Sequence, residues 1–170
     1  LTAMLNEVDV VDICTPTHLH HPMVLEAAAQ GKHIICEKPL ALNVDLASKM
    51  LAACRAASVR LLVAHVVRFF PEYASAKAAV EAGQVGNLGI IRLSRGSYRP
   101  KKPVGNWFLD EAKSGGIMMD LMIHDFDYAR WIAVEVESVF AKKVSSGHPE
   151  ASIDYGLVIL RHTNGALSHI

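Results

Sequence analysis

Short apolar, β-branched runs alternate with amphipathic stretches over residues 1–66. The run at 8–14 ends in the turn Thr15-Pro16-Thr17. A helix is predicted after it, with Pro22 in its first turn, Val24, Ala27 and Ala28 on one face, and Gly31 closing it. Residues 33–36 predict a second strand, followed by Glu37-Lys38-Pro39. Asn43 can cap the next helix, whose apolar stripe is Leu46, Met50, Ala53 and Ala57. Residues 60–64 predict a third strand. Strands this short and apolar, separated by helices, predict βαβ units and a parallel sheet covered on both faces.

The pattern changes over residues 67–170. A helix is predicted over 71–83 and an alternating strand over 88–97, followed by a loop with Pro100, Pro103 and Gly105. Residues 116–132 predict one helix, apolar on nearly every side. Strands are predicted near 136–144, 153–161 and 166–170, with Asn164-Gly165 as a hairpin turn. The fold class is therefore α/β: part of a doubly wound parallel sheet over 1–66, then an α+β domain with a mostly antiparallel, open sheet over 67–170. In Leu157-Val158-Ile159-Leu160 both faces of a strand are apolar. One face can pack on the buried helix and the other needs a cover, so a homo-oligomer joined through the open sheet is expected, with a helix from a further C-terminal part as the alternative cover.

Composition narrows the classes. The chain has 170 residues, 51% apolar and 20% charged, with 17 basic and 17 acidic side chains. That is a globular composition, without the charge excess that attracts nucleic acid or an anionic membrane. No apolar run approaches the ~18 residues of a membrane span. The chain begins at Leu1 with no signal-peptide pattern and ends in what reads as a strand in progress, so a piece open at both ends is expected. Cys14, Cys36 and Cys54 are odd in number, fit no CxxC spacing and each lie in an apolar stretch. They predict three reduced core thiols in a cytoplasmic protein.

Chemistry is expected beyond the carboxyl ends of the parallel strands, where such sheets bind ligands. Those ends carry Thr15-Pro16-Thr17-His18-Leu19-His20-His21 and Glu37-Lys38-Pro39. Lys38 at a strand edge can reach a ligand or be an ordinary surface lysine. In the apolar helix, Asp120, His124 and Asp127 fall on one stripe at helical spacing. Buried polar groups must pair or face a polar cavity, and an Asp beside a His can orient the ring as a general base or merely tie two elements together. A zinc site from His20, His21, Asp120 and His124 lacks supporting spacing, so no metal is expected. The basic stretch Arg95, Arg99, Lys101, Lys102 could take an anion, but a solvated loop is the simpler expectation.

The succession C-T-P-T, a histidine and an alanine-rich helix, G-K-H-I-I-C-E-K-P-L-A, R-F-F-P-E-Y at 68–73, and Gly115-Gly116…Asp120…His124…Asp127 resembles the Gfo/Idh/MocA family of nicotinamide-dependent sugar and polyol oxidoreductases. The resemblance runs in order along the whole chain. It implies a Rossmann domain followed by an α/β domain with an open sheet. It also implies NAD or NADP as cofactor, a sugar or polyol substrate, and hydride transfer at a hydroxyl-bearing carbon. Lys38, Asp120 and His124 would be catalytic: Lys38 on the reacting hydroxyl, His124 as general acid/base, Asp120 holding a substrate hydroxyl or the lysine. Thr15, Pro16, Thr17, His20, Glu37 and Lys38 would border the nucleotide, and Arg68 and Trp107 would lie near the substrate. Two other uses of the fold stand beside this one: NAD-assisted glycoside cleavage and a non-catalytic sugar- or nucleotide-binding relative. The family's GxGxxG turn does not follow any strand here, and position 17 is Thr where many members have Asn.

Overall fold

The computed structural model describes residues 2–96, 107–144 and 155–170. The loop prolines at 100 and 103, Gly105, Arg99, Lys101 and Lys102, and the strand start at 153 lie outside them. The chain divides into two compact units. The first holds α1 (Thr2–Leu5), β1 (Val10–Ile13), α2 (His20–Ala29), β2 (His33–Glu37), α3 (Val44–Ala56), β3 (Leu61–Ala64) and α5 (Glu111–Ser114). The second holds α4 (Pro71–Glu81), β4 (Ile90–Arg92), α6 (Gly116–Asp120), α7 (Ile123–Ala133), β5 (Val136–Val144), β6 (Tyr155–His162) and β7 (Leu167–His169).

In the first unit the order β1-β2-β3 is parallel throughout, with Ile13 opposite Cys36 and Cys36 opposite Val63. Asn43 caps α3 as its chemistry predicts, its Oδ1 accepting from the Leu46 N–H at 2.9 Å. Gly31 ends the α2 turn with φ +70°, a left-handed conformation that side chains oppose. Val24, Ala27 and Ala28 of α2 and Met50 and Cys54 of α3 form one core with Val11, Ile13, Ile34 and Cys36. Only this one face is covered among the described residues; Val10 and Leu62 are exposed on the other strand positions. The reason is geometric. Two right-handed crossovers that step the same way across a sheet deliver both helices to the same side. The expectation of three core thiols is also corrected. Cys36 and Cys54 are buried, but Cys14 is exposed, because it continues the outward alternation of Val10 and Asp12 along the edge strand β1. Burial, with the Glu37 and Asp12 charges adding to it, pushes the Cys36 thiol up to about 12.

The second unit carries a sheet of order β4-β7-β6-β5, antiparallel except for β4 against β7. The strand expected over 88–97 contracts to β4, although the Leu93 N–H still donates to the His169 carbonyl. Asn164-Gly165 forms the β6–β7 turn, Gly165 at φ +88°. Val158 and Leu160 of β6 meet Met122 and Ala129, while Ile91 and Ala166 meet Tyr128, Ile132 and Ala133.

The single helix expected over 116–132 is broken. It runs as α6, a turn at Leu121–Met122, and α7. The Met122 N–H reaches back five residues to the Ile117 carbonyl instead of four. Packing explains the break: Met122 must enter the Val158–Leu160 cluster, and Gly156 of β6 leaves the room, since a Cβ there would lie 2.5 Å from the Met122 Sδ. Among the described residues, no helix is long and apolar enough to cross a membrane.

Candidate functional site

In the first unit, the loops after β1 and β2 leave the same, carboxyl-terminal edge of the parallel sheet. The first loop carries Cys14, Thr15 and Pro16 and tightens into a 3-10 turn over Thr17–Leu19 that leads into α2. Thr15 and Pro16 are half-buried, whereas Thr17 is 3% exposed. The second carries Glu37, Lys38 and Pro39, with a cis Lys38–Pro39 peptide. Glu37 Oε2 accepts from the Lys38 backbone N–H at 3.0 Å, which fixes the turn at the lysine itself.

His20 opens α2 and is 1% exposed. Its Nδ1 stands 3.0 Å from the Pro39 carbonyl oxygen and its Nε2 2.9 Å from the Thr15 carbonyl oxygen. The ring expected to border a nucleotide is thus enclosed between two backbone loops. The same geometry removes His20 from any metal-ligand set, since both nitrogens already face carbonyls. Nδ1 of His18 and Nε2 of His21 are buried with no hydrogen-bond partner among the described residues. Trp107 lies in the same unit, stacked on Phe108 at 3.8 Å and 6.5 Å from the His18 ring.

In the second unit, Asp120 ends α6 and His124 lies in the first turn of α7. The break between them replaces the continuous stripe expected from sequence. His124 and Asp127 remain neighbours at i, i+3 within α7. Asp127 is held by residues outside α7. Its carboxylate accepts two hydrogen bonds from Arg68, from Nε at 2.7 Å and Nη2 at 2.6 Å, with His65 Nδ1 3.6 Å away. Arg68 also lies 5.5 Å above the Trp131 ring. The hydrogen bond to Asp127 raises the guanidinium above its ordinary range, so Arg68 is a fixed cation.

Sequence reasoning missed Asp125. It is 3% exposed and takes a two-pronged bond from Arg95, Nε and Nη2 each at 2.8 Å, while Arg95 Nη2 also donates to the Tyr73 hydroxyl at 3.3 Å. The signal was available. A helix read as apolar on nearly every side leaves Asp125 as enclosed as Asp120, and a cation must then be found for it. Arg95, expected on a solvated loop, is that cation.

The edge of the first unit fits a nicotinamide dinucleotide in its donor chemistry. A threonine hydroxyl and a lysine ammonium stand on the loops that follow two adjacent strands. The pyrophosphate is another matter. It needs a glycine-rich turn at a helix N-terminus, and α2 and α3 open on Leu19-His20 and Asn43-Val44 instead.

The profile of an oxidoreductase family with an NAD-binding Rossmann fold matches residues 1–65. The profile of the Gfo/Idh/MocA C-terminal domain matches residues 73–170. The chain is similar to the myo-inositol 2-dehydrogenase of Thermotoga maritima, 37% identical over 169 residues, which cover 96% of this chain and 49% of that protein. It is 35% identical over 153 residues to the levoglucosan dehydrogenase of Pseudarthrobacter phenanthrenivorans, covering 88% and 39% of the two. Among solved structures, levoglucosan dehydrogenase in complex with NADH and levoglucosan superposes with a TM-score of 0.85 at 31% identity, over 99% of this chain and 49% of that one. The chain spans about half the length of the first curated relatives it matches. With both profiles matched in order and relatives this similar along nearly all its length, the chain belongs to the Gfo/Idh/MocA oxidoreductase family.

Proposed function

We propose that the protein is a dehydrogenase acting on a hydroxyl-bearing carbon of a sugar or polyol, with NAD or NADP as cofactor. Residues 1–66 form part of its dinucleotide domain and 67–170 part of its substrate domain. The observation that carries this reading is Lys38 itself: it stands just past β2, at the carboxyl edge of a parallel sheet, with its backbone N–H fixed by Glu37. Relatives named for inositol and levoglucosan dehydrogenation support the substrate class.

When bound, the dinucleotide supplies the hydride acceptor. Thr15, Pro16, Thr17, Glu37 and Lys38 line the edge that borders it. The Lys38 ammonium donates to the reacting hydroxyl oxygen and stabilises the charge that develops there as the proton leaves. His124 takes that proton, a task suited to an imidazole of near-neutral basicity. Asp120 holds a neighbouring substrate hydroxyl or the lysine. Arg68 and Trp107 are assigned to the substrate side, and Arg68 does so as a cation already held by Asp127. A cytoplasmic location is supported by three thiols that are all unpaired. A homo-oligomer is supported by the uncovered sheet face of the second unit, where Phe140 and Ile90 are more than half exposed.

The test uses full-length protein with NAD⁺ and a panel of myo-inositol and levoglucosan. Lys38→Ala and His124→Ala should each lower kcat by roughly 10²–10⁴, the usual range for acid–base groups. Nucleotide Kd should change little for His124→Ala and modestly for Lys38→Ala. A folded His124→Ala enzyme with an unchanged single-turnover rate would remove His124 from the mechanism. Sugar released without net NADH would favour glycoside cleavage over oxidation.

A further inference from the structure

We propose that His20 is a positioning residue for Lys38, acting through the Pro39 carbonyl. The proposal rests on the role given to Lys38 above. β1 and β2 are hydrogen-bonded neighbours up to the Ile13–Cys36 pair. Beyond it the two chains leave the ladder, and the ladder no longer holds Thr15 or Pro39. Proline has no N–H to donate, so its carbonyl is the one backbone handle at position 39. The His20 Nδ1 stands 3.0 Å from that oxygen and its Nε2 2.9 Å from the Thr15 carbonyl oxygen, and the proposal places the ring's hydrogen on Nδ1, so that it donates to Pro39. The ring is 1% exposed, so water does not compete for either oxygen. Lys38 is therefore bracketed. Its own N–H is held by Glu37 on one side, and the residue after it is held by His20 on the other.

The two ring nitrogens have separable jobs. A carbonyl only accepts, so each nitrogen bonds its oxygen only when it carries a hydrogen. A hydrogen on Nδ1 sets Lys38, whereas a hydrogen on Nε2 would secure the β1 loop instead, and a neutral ring carries one of the two. Two conservative variants divide them. The amide nitrogen of asparagine lies near the position of Nδ1, and that of glutamine near the position of Nε2. His20→Asn keeps the link to Pro39, and His20→Gln keeps the link to Thr15.

The experiment uses full-length protein with NAD⁺ and whichever of myo-inositol or levoglucosan it oxidises faster. His20→Asn should keep kcat within about threefold. His20→Gln should lose roughly 10- to 100-fold in kcat, as a misplacement near 1 Å does, with a smaller change in KM and matched melting temperatures. A second readout needs no turnover: the acetylation rate of Lys38 in a short acetic-anhydride pulse, read by mass spectrometry against Lys49. It should shift at least threefold in His20→Gln and less than twofold in His20→Asn. A third needs no variant. In wild-type protein, the ¹⁵N spectrum of His20 must show a hydrogen on Nδ1; a ring carrying its hydrogen on Nε2 alone overturns the proposal. Equal kcat and equal Lys38 acetylation in the two variants, with Lys38→Ala inactive, overturns the positioning role and leaves the proposed reaction standing. Lys38→Ala with normal kcat overturns both.

Discussion

A carboxylate at 3% exposure is tolerable only with a partner, and Arg95 supplies Asp125 with a two-pronged one. Removing that partner strands the charge. Arg95→Met is expected to cost about 3 kcal/mol in urea unfolding of the full-length protein, the lower end for breaking a buried pair because Arg95 is itself 26% exposed. Arg130→Met, whose pair with Glu135 is exposed on both sides, should change stability by less than about 1 kcal/mol. Equal losses in the two variants would show that Asp125 finds another partner. The same residue shows where reading the sequence stopped. Asp120, His124 and Asp127 stood out because they share a helical stripe, but Asp125 lies off that stripe, and its partner is thirty residues away. Spacing along one helix cannot reveal a pair that closes across the fold.

Local chemistry wrote most of the elements. Asn43 caps α3, Gly31 ends the α2 turn, and Asn164-Gly165 turns β6 into β7, each for a reason confined to a few residues. The break between α6 and α7 has no such local cause; it comes from the packing of Met122, in the turn itself, against Gly156 of β6. The end of α7 carries a second imposed feature. Val134 holds φ +80° and ψ −170°, a region that a β-branched residue avoids. The conformation aims its carbonyl at Nδ1 of His162, 2.9 Å away, and His162 is fully buried with Ser168 on its other nitrogen at 2.7 Å. Val134→Gly should keep that bond and relieve the strain, raising stability by about 1 kcal/mol once the added chain entropy of glycine is set against a strain of about 1–3 kcal/mol. A lower melting temperature in the variant would show that the Val134 side chain contributes more than its backbone costs.

Across the whole molecule, the sheet of the second unit has two unlike faces. Directly paired residues share a face, so Val158, Leu160 and Ser168 turn towards α7 while Phe140, Ile159 and His169 turn away. Ile90 and Leu167 extend the outer face and are 60% and 41% exposed. A second subunit is the proposed cover. Light scattering on the full-length protein should give an oligomer, and Phe140→Lys should shift it towards monomer without loss of secondary structure. A wild-type monomer at micromolar concentration would reject the idea.

Composition, strand length and the order of motifs were enough to determine an α/β unit followed by a mostly antiparallel one, and to single out Lys38 and His124. These signals are local: a βαβ run, a cap, a turn and a motif each declare themselves within a few residues. The tertiary structure alone decided that α2 and α3 share one face of the first sheet, that Cys14 faces outward, and that the long apolar helix is broken. It also decided that His20 lies between two backbone carbonyls, that Asp125 belongs to Arg95, and that Asp127 belongs to Arg68. Apart from Thr15, five residues from His20, those partners lie 19 to 59 residues away along the chain. A side chain's partner is set by which surfaces packing brings together, and periodicity along one element carries no record of it.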